Sequence, residues 1–317
     1  MKLNRTPCYL SLCLCLPLLF ACQQGEVNYY SDDTPIRLDL KAKSLTILQF
    51  TDLHLTFGID HNDQKTFTLI DKMVQYTNPD LIVFSGDQTM APFGVSLFQM
   101  LGRRVEKHQI PWTFVFGNHD NDHDPYEAYL KILGDFEYLQ FKVGPEIDEG
   151  GYGNFSINTY YGDAPFYNVY LLDSHTEAPG DLHYGWVSEA QVQWYQNKVA
   201  TDTVKHTVFM HIPLIEFNDS IDLPLNDGER GEDMWPQGKN TGFFQAMVDS
   251  HLAQAFFAGH DHDNSFCFTH PTGIILGYGV ASGFNGYGSA PKGARTIHIN
   301  SLGVFSTKVI YAAEVGL

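Results

Sequence analysis

The sequence predicts an α/β domain, on three observations. Short apolar runs rich in β-branched and aromatic residues alternate with helical patterns. Polar, metal-competent residues stand directly after five of those runs, where α/β sheets collect functional groups at the carboxyl ends of strands. The stretch from Thr272 onward changes to a glycine-rich, strand-only pattern. The 317 residues suffice for one large domain with a full core. Formal net charge is -18 and no Lys/Arg cluster is present, so duplex nucleic-acid binding is not expected. Acidity does not forbid an anionic substrate, because bound divalent cations invert the local field.

The chain opens on an export pattern. Lys2 and Arg5 precede an apolar stretch over residues 7–20. It falls short of the roughly 20 residues a membrane span needs, and Pro7 and Pro17 interrupt it. Leu19-Phe20-Ala21-Cys22 resembles a bacterial lipoprotein cleavage site, with residues 1–21 as signal and Cys22 as the lipidated anchor. Gln23 follows in place of a retention Asp, which points to the outer membrane of a bacterial envelope. The alternative is a plain secretory signal and a soluble secreted or periplasmic protein. Residues 22–35, polar and aperiodic, read as a tether, and residues 36–317 as the domain. Cys8, Cys13 and Cys15 leave with the signal; if Cys22 carries lipid, Cys267 has no disulfide partner and reads as a small buried hydrophobe.

Along the domain, strands are expected over 45–51, 81–85, 112–116, 168–172, 207–210 and 255–258. Helices are expected over 64–76, 95–108, 126–133, 188–200 and 242–251. The helix from Ser188 carries a capping signal, with Gln191 three residues on. Strands near 274–276, 294–300 and 304–311 suggest a second, mostly antiparallel sheet packed on the first.

Five strand ends carry the chemistry. Asp52 and His54 follow the first strand, two apart, and can point the same way. Their oxygen and nitrogen suit Mn, Fe or Zn better than Ca or Mg. Gly86-Asp87 follows the second strand, where a carboxylate can bridge two cations. Gly117-Asn118-His119-Asp120 follows the third: an amide oxygen for a metal, an imidazole to donate a proton, and a carboxylate to hold the ring. His211 follows a fourth strand, and Gly259-His260-Asp261-His262 a fifth. Each motif alone is common in loops; their joint order is not.

In that order the five motifs resemble those of the calcineurin-like metallophosphoesterases, over roughly residues 45–300. Met210-His211-Ile212-Pro213-Leu214, Asn240-Thr241-Gly242-Phe243-Phe244 and Gly259-His260-Asp261-His262-Asp263-Asn264 are similar to the branch grouped with purple acid phosphatases. The coloured enzymes place a tyrosine ligand three residues after the Gly-Asp aspartate; Met90 stands there, so no charge-transfer colour is expected. The resemblance implies two mixed β-sheets packed face to face and flanked by helices, a four-layer α/β/β/α fold. It implies one metal held by Asp52, His54 and His262, another by Asn118, His211 and His260, and Asp87 between them. His119 would contact the phosphate and assist the leaving group, oriented by Asp120.

The implied activity is hydrolysis of a small phosphomonoester by a water activated on two divalent or trivalent ions (Mn, Fe or Zn). A phosphodiesterase and a non-catalytic metal- or nucleotide-binding envelope lipoprotein remain open as alternatives. His175 and His183 read as loop residues that can line a pocket. The loop Gly283–Gly288, with Phe284 and Tyr287, can form a rim against a leaving group. Asp120, Asp122 and Asp124 frame a turn beyond His119.

Overall fold

The computed structural model describes residues 28–178, 180 and 184–317; the proposed signal, Cys22 and His183 lie outside the described residues. In chain order the strands are β1 (Ile36–Asp39), β2 (Leu45–Phe50), β3 (Leu81–Ser85), β4 (Trp112–Val115), β5 (Phe155–Tyr161), β6 (Ala164–Leu171) and β7 (His206–Phe209). They continue as β8 (Leu225–Asp227), β9 (Ala253–Ala258), β10 (Cys267–Thr269), β11 (Ile275–Tyr278), β12 (Gly293–Ile299) and β13 (Phe305–Tyr311). The helices are α1 (His61–Thr77), α2 (Gly94–Val105), α3 (Tyr126–Leu130), α4 (Glu189–Val199) and α5 (Phe243–Ser250). No helix among the described residues is long and apolar enough to cross a membrane.

Two mixed sheets result. One has the order β13-β12-β2-β3-β4, with β2, β3 and β4 parallel and β12 and β13 antiparallel. The other runs β1-β5-β6-β7-β9-β11-β10-β8, with β6, β7, β9 and β11 parallel at its centre. Alternation within each strand divides the apolar side chains between two faces. Leu45 and Ile47 of β2 meet Val169, Phe209 and Phe257 between the sheets. Leu48 and Phe50 turn instead to Phe67 and Ile70 of α1 and Phe98 of α2. On the far side Val208 and Phe256 pack against Tyr195 of α4 and Phe243 of α5. The layers are therefore α/β/β/α, as the resemblance implied.

The structure corrects two expectations. The strands after Thr272 form no sheet of their own: β11 pairs in parallel with β9, while β12 and β13 extend the other sheet beyond β2. Chain order alone does not fix which of the two layers each strand joins. Residues 28–35 do not hang free of the domain. Trp194 Nε1 donates to Asp33 at 2.9 Å, Ser31 N donates to Gly144 O, and Lys142 pairs with Asp32. Strands β1, β5, β8 and β10 lie outside the runs expected from the sequence.

Arg295 fastens the two sheets. It lies on the face of β12 shared with Ile297 and Ile299, fully buried between the layers. Its guanidinium donates to the carbonyls of Tyr278 and Ser265, to Thr307 Oγ1 and to Asp227. Buried carbonyls stripped of such a donor are costly. Arg295→Met should lower unfolding stability by on the order of 3 kcal/mol in urea titrations; a loss under about 1 kcal/mol would show that the clasp contributes little.

Candidate metal centre

The parallel strands β2, β3 and β4 of one sheet, and β7 and β9 of the other, end at the same edge of the sandwich. Asp52 and His54 follow β2, Asp87 follows β3, Asn118 and His119 follow β4, His211 follows β7, and His260 and His262 follow β9. The chain beyond these ends stays paired: Asp52 N donates to Gly86 O, His54 N to Asp87 O, and Gly259 N to His211 O. Asp52, His54, Asp87 and His260 adopt positive φ, at 53°, 46°, 53° and 82°. Asp and His tolerate this left-handed region better than most residues, at a cost met by the surrounding structure. The shared direction of Asp52 and His54 thus comes from kinked backbone, not from the strand alternation read in the sequence. Close packing also requires glycine before Asp87 and before Asn118. A Cβ on Gly86 would strike the His211 ring, and one on Gly117 would strike Asp87.

All seven expected ligands gather here. Asp52, His54 and His262 form one compact buried group of donor atoms; Asp52, Asp87 and His211 form another. His54 Nε2 and His262 Nε2 are 2.9 Å apart. Asp87 Oδ2 stands 3.5 Å from His54 Nε2 and 3.2 Å from His211 Nε2, so it reaches from its own group to His54 of the other. Asn118 Oδ1 is 3.0 Å from His211 Nε2. The His260 ring crosses His211 with centroids 5.2 Å apart, outside both compact groups. Neighbouring carbonyls fix two rings. His211 Nδ1 donates to Ser85 O and His262 Nδ1 to Tyr287 O, which turns each Nε2 toward the centre.

Charge makes the same case. Burial alone would push the Asp52 carboxyl up, but His262 outweighs it and leaves the group below the usual carboxylate range. Burial likewise acts against ionised Asp87, and the charge of His211 overrides it downward. Burial lowers His211, yet Asp87 prevails and pushes that imidazole up to about 10. His262 also rises, against burial, through its bond to Asp52. Burial holds His54 down to about 4 and His260 down to about 3. Among the described residues neither Asp52 nor Asp87 has a Lys or Arg in ion-pair contact. Two buried carboxylates facing imidazole nitrogens and an amide oxygen fit a pair of N/O-liganded transition-metal cations.

His119 borders the centre, its ring 5.4 Å from that of His54. Its partner is not the expected one. Asp122 Oδ2 accepts from His119 Nδ1 at 2.8 Å, brought there by the turn in which Asp122 N donates to His119 O. Asp120 is buried and points away, accepting from the backbone of Gly117 and Thr89. It braces the loop. Burial and the Asp87 charge push its carboxyl up to about 7.

A cavity of about 460 Å³ opens over the centre. Its outer wall holds residues that no strand-end pattern could flag: Tyr184, Glu232 and Trp235, together with Met90 and Tyr287. Of the glycine-rich loop, Tyr287 reaches the rim, whereas Phe284 packs toward α1. His175 lines a separate cavity of about 490 Å³, its Nε2 against Gln191 Oε1.

The sequence profile of calcineurin-like phosphoesterases matches residues 45–264. The chain is 30% identical to the probable inactive purple acid phosphatase 14 of Arabidopsis thaliana, over 76% of this chain and 71% of that protein. It is 27% identical to phosphatase DCR2 of Saccharomyces cerevisiae, over 74% of this chain and 47% of that protein. A dimetal phosphatase from Danio rerio aligns with a TM-score of 0.55 at 14% identity, over 84% of this chain and 99% of that one, a likeness of fold.

Imidazole binds metal only when the ligating nitrogen is free of its proton. His54 and His260 are neutral near pH 7, whereas His211 holds a proton that an incoming cation must displace. Metal affinity should therefore tighten from about pH 6 to about pH 9. Calorimetry in buffers of unequal ionisation enthalpy should register proton release, and affinity independent of pH would contradict this charge assignment.

Proposed function

This chain belongs to the calcineurin-like phosphoesterase family, and we propose that it is a dinuclear metallophosphatase that hydrolyses a small phosphomonoester. One observation carries the proposal: seven metal-competent side chains from five strand ends converge under a cavity that His119 also lines. In this reading Asp52, His54 and His262 hold one ion, Asn118, His211 and His260 the other, and Asp87 stands between them. Bound cations would neutralise the phosphoryl oxygens and bring the pKa of a water toward about 7.

The remaining chemistry belongs to the chain. Water adds to phosphorus, the bond to the ester oxygen breaks, and the leaving alkoxide takes a proton. His119 is the group poised to give it. Burial lowers its pKa, but Asp87 and Asp122 raise it by more, so the ring takes a proton more readily than an ordinary imidazole. With Nδ1 engaged by Asp122, Nε2 is the donating atom. Asp122 thus takes the orienting role first assigned to Asp120.

Relatives whose names include "inactive" favour a second reading, a metal-binding protein without turnover. Against it stands the full donor set with His119 beside it. The Leu19-Phe20-Ala21-Cys22 motif supports placing the reaction at a bacterial envelope, anchored by lipid on Cys22.

The test is an ester panel on chelator-stripped protein with Mn, Fe and Zn restored separately. Hydrolysis of 4-nitrophenyl phosphate in preference to its bis ester is expected; two retained metals with no ester cleaved would establish the second reading. His119→Ala should keep both metals while turnover falls by about 10²–10⁴-fold. Asp87→Ala should lose metal as well, measured by elemental analysis. Metal loss in His119→Ala would contradict its assigned role.

A further inference from the structure

The outer wall of the cavity above the metal centre has an unusual chemistry. Its non-ligand side chains include Tyr184, Trp235, Tyr287, Met90 and Glu232. Among the described residues no Lys or Arg lines it, and neither does any Ser, Thr, Asn or Gln. A polyanionic leaving group would find no cation on this wall, and a polyol few partners for its hydroxyls. Lys292 lies within electrostatic reach of Glu232 but does not line the cavity.

Two of the aromatic rings, and the backbone that carries the third, are held in place. Tyr287 stacks on His262 with centroids 3.9 Å apart and planes 14° apart, and its hydroxyl donates to Glu232 at 3.1 Å. Tyr184 meets the His260 ring edge-on at 4.2 Å. The backbone N–H of Trp235 donates to Asp261. Trp235 and Tyr287 are nonetheless 48% and 55% exposed at the cavity lining. Asp261, buried behind Trp235, also lines the cavity, and a collar of electron-rich rings with the carboxyl groups of Glu232 and Asp261 is the environment that recognises an alkylammonium cation through cation–π and ionic attraction.

We propose that this collar selects phosphomonoesters of amino alcohols. The phosphate lies at the metal centre and the ammonium head among Tyr184, Trp235, Tyr287 and Glu232. The proposal rests on the phosphatase reading above and adds the substrate class to it. Water adds to phosphorus, the P–O bond to the alkyl oxygen breaks, and that oxygen takes a proton, yielding the amino alcohol and inorganic phosphate. An aromatic leaving group would use the rings but not the charge of Glu232, which favours the cation.

The test compares phosphocholine with glycerol 3-phosphate on the manganese-loaded full chain, by phosphate release and by calorimetric binding. Phosphocholine is expected to have the higher kcat/KM by roughly tenfold and to bind more tightly by a similar factor. Trp235→Leu and Glu232→Gln should each shrink that ratio toward unity. Thermal melting identifies folded variants, and either folded variant decides. A wild-type ratio near unity, or one unmoved in the folded variants, overturns the collar while leaving the phosphatase reading intact if 4-nitrophenyl phosphate is cleaved. If no ester is cleaved the phosphatase reading fails, and the binding ratio alone decides the collar.

Discussion

Two ionised carboxylates buried side by side govern this molecule. Asp52 and Asp87 lie almost wholly out of solvent, and among the described residues only imidazoles stand in ion-pair contact with them. Such an arrangement is costly in an apolar interior unless cations arrive to match it. The protein meets the cost in part by protonating His211, a stopgap that binding of metal would replace. The fold, the loop strain and the electrostatics of the cavity can all be understood as means of keeping those two groups together.

Bringing them together takes two sheets. Asp52 and Asp87 belong to one, His211, His260 and His262 to the other, so the centre forms only if the layers keep their offset. Gln49 helps set it, its amide donating to Ser85 Oγ within its own sheet and to Ala258 O across the gap. Arg295 works from within the same interface through the carbonyls of Tyr278 and Ser265. Left-handed backbone at four ligand positions stores strain at this edge, as functional sites commonly do. The loop between β2 and α1 is braced by buried Asp63, which accepts from the backbone of Thr56 and Phe57 and from Asn285.

The central strands were legible because each is an apolar run ending in polar groups. The observed bounds of β2, β3, β4, β7 and β9 fall within two residues of those runs. Helix α4 was equally plain from its Ser188–Gln191 capping box. Strand β5 escaped because its sequence, FSINTYY, mixes polar and apolar residues. β8 and β10 are three residues long and owe their strand character to pairing, β10 with β11 and β8 with β10. Within the site, the seven ligand candidates and His119 were legible from strand-end position. Asp122 was not, since the residue adjacent to His119 in sequence faces away while the one three positions on returns through a turn. Tyr184, Glu232 and Trp235 stand on connections whose path is set by tertiary contacts, which no local pattern encodes.

The central claim is that this edge of the sandwich holds two metal ions. Anomalous diffraction from crystals grown with saturating manganese measures it directly. Two peaks per chain, roughly 3.5–4 Å apart, are expected. One should lie against Asp52, His54 and His262, the other against Asn118, His211 and His260, with Asp87 touching both. A single peak, or manganese bound away from these residues, would contradict the account.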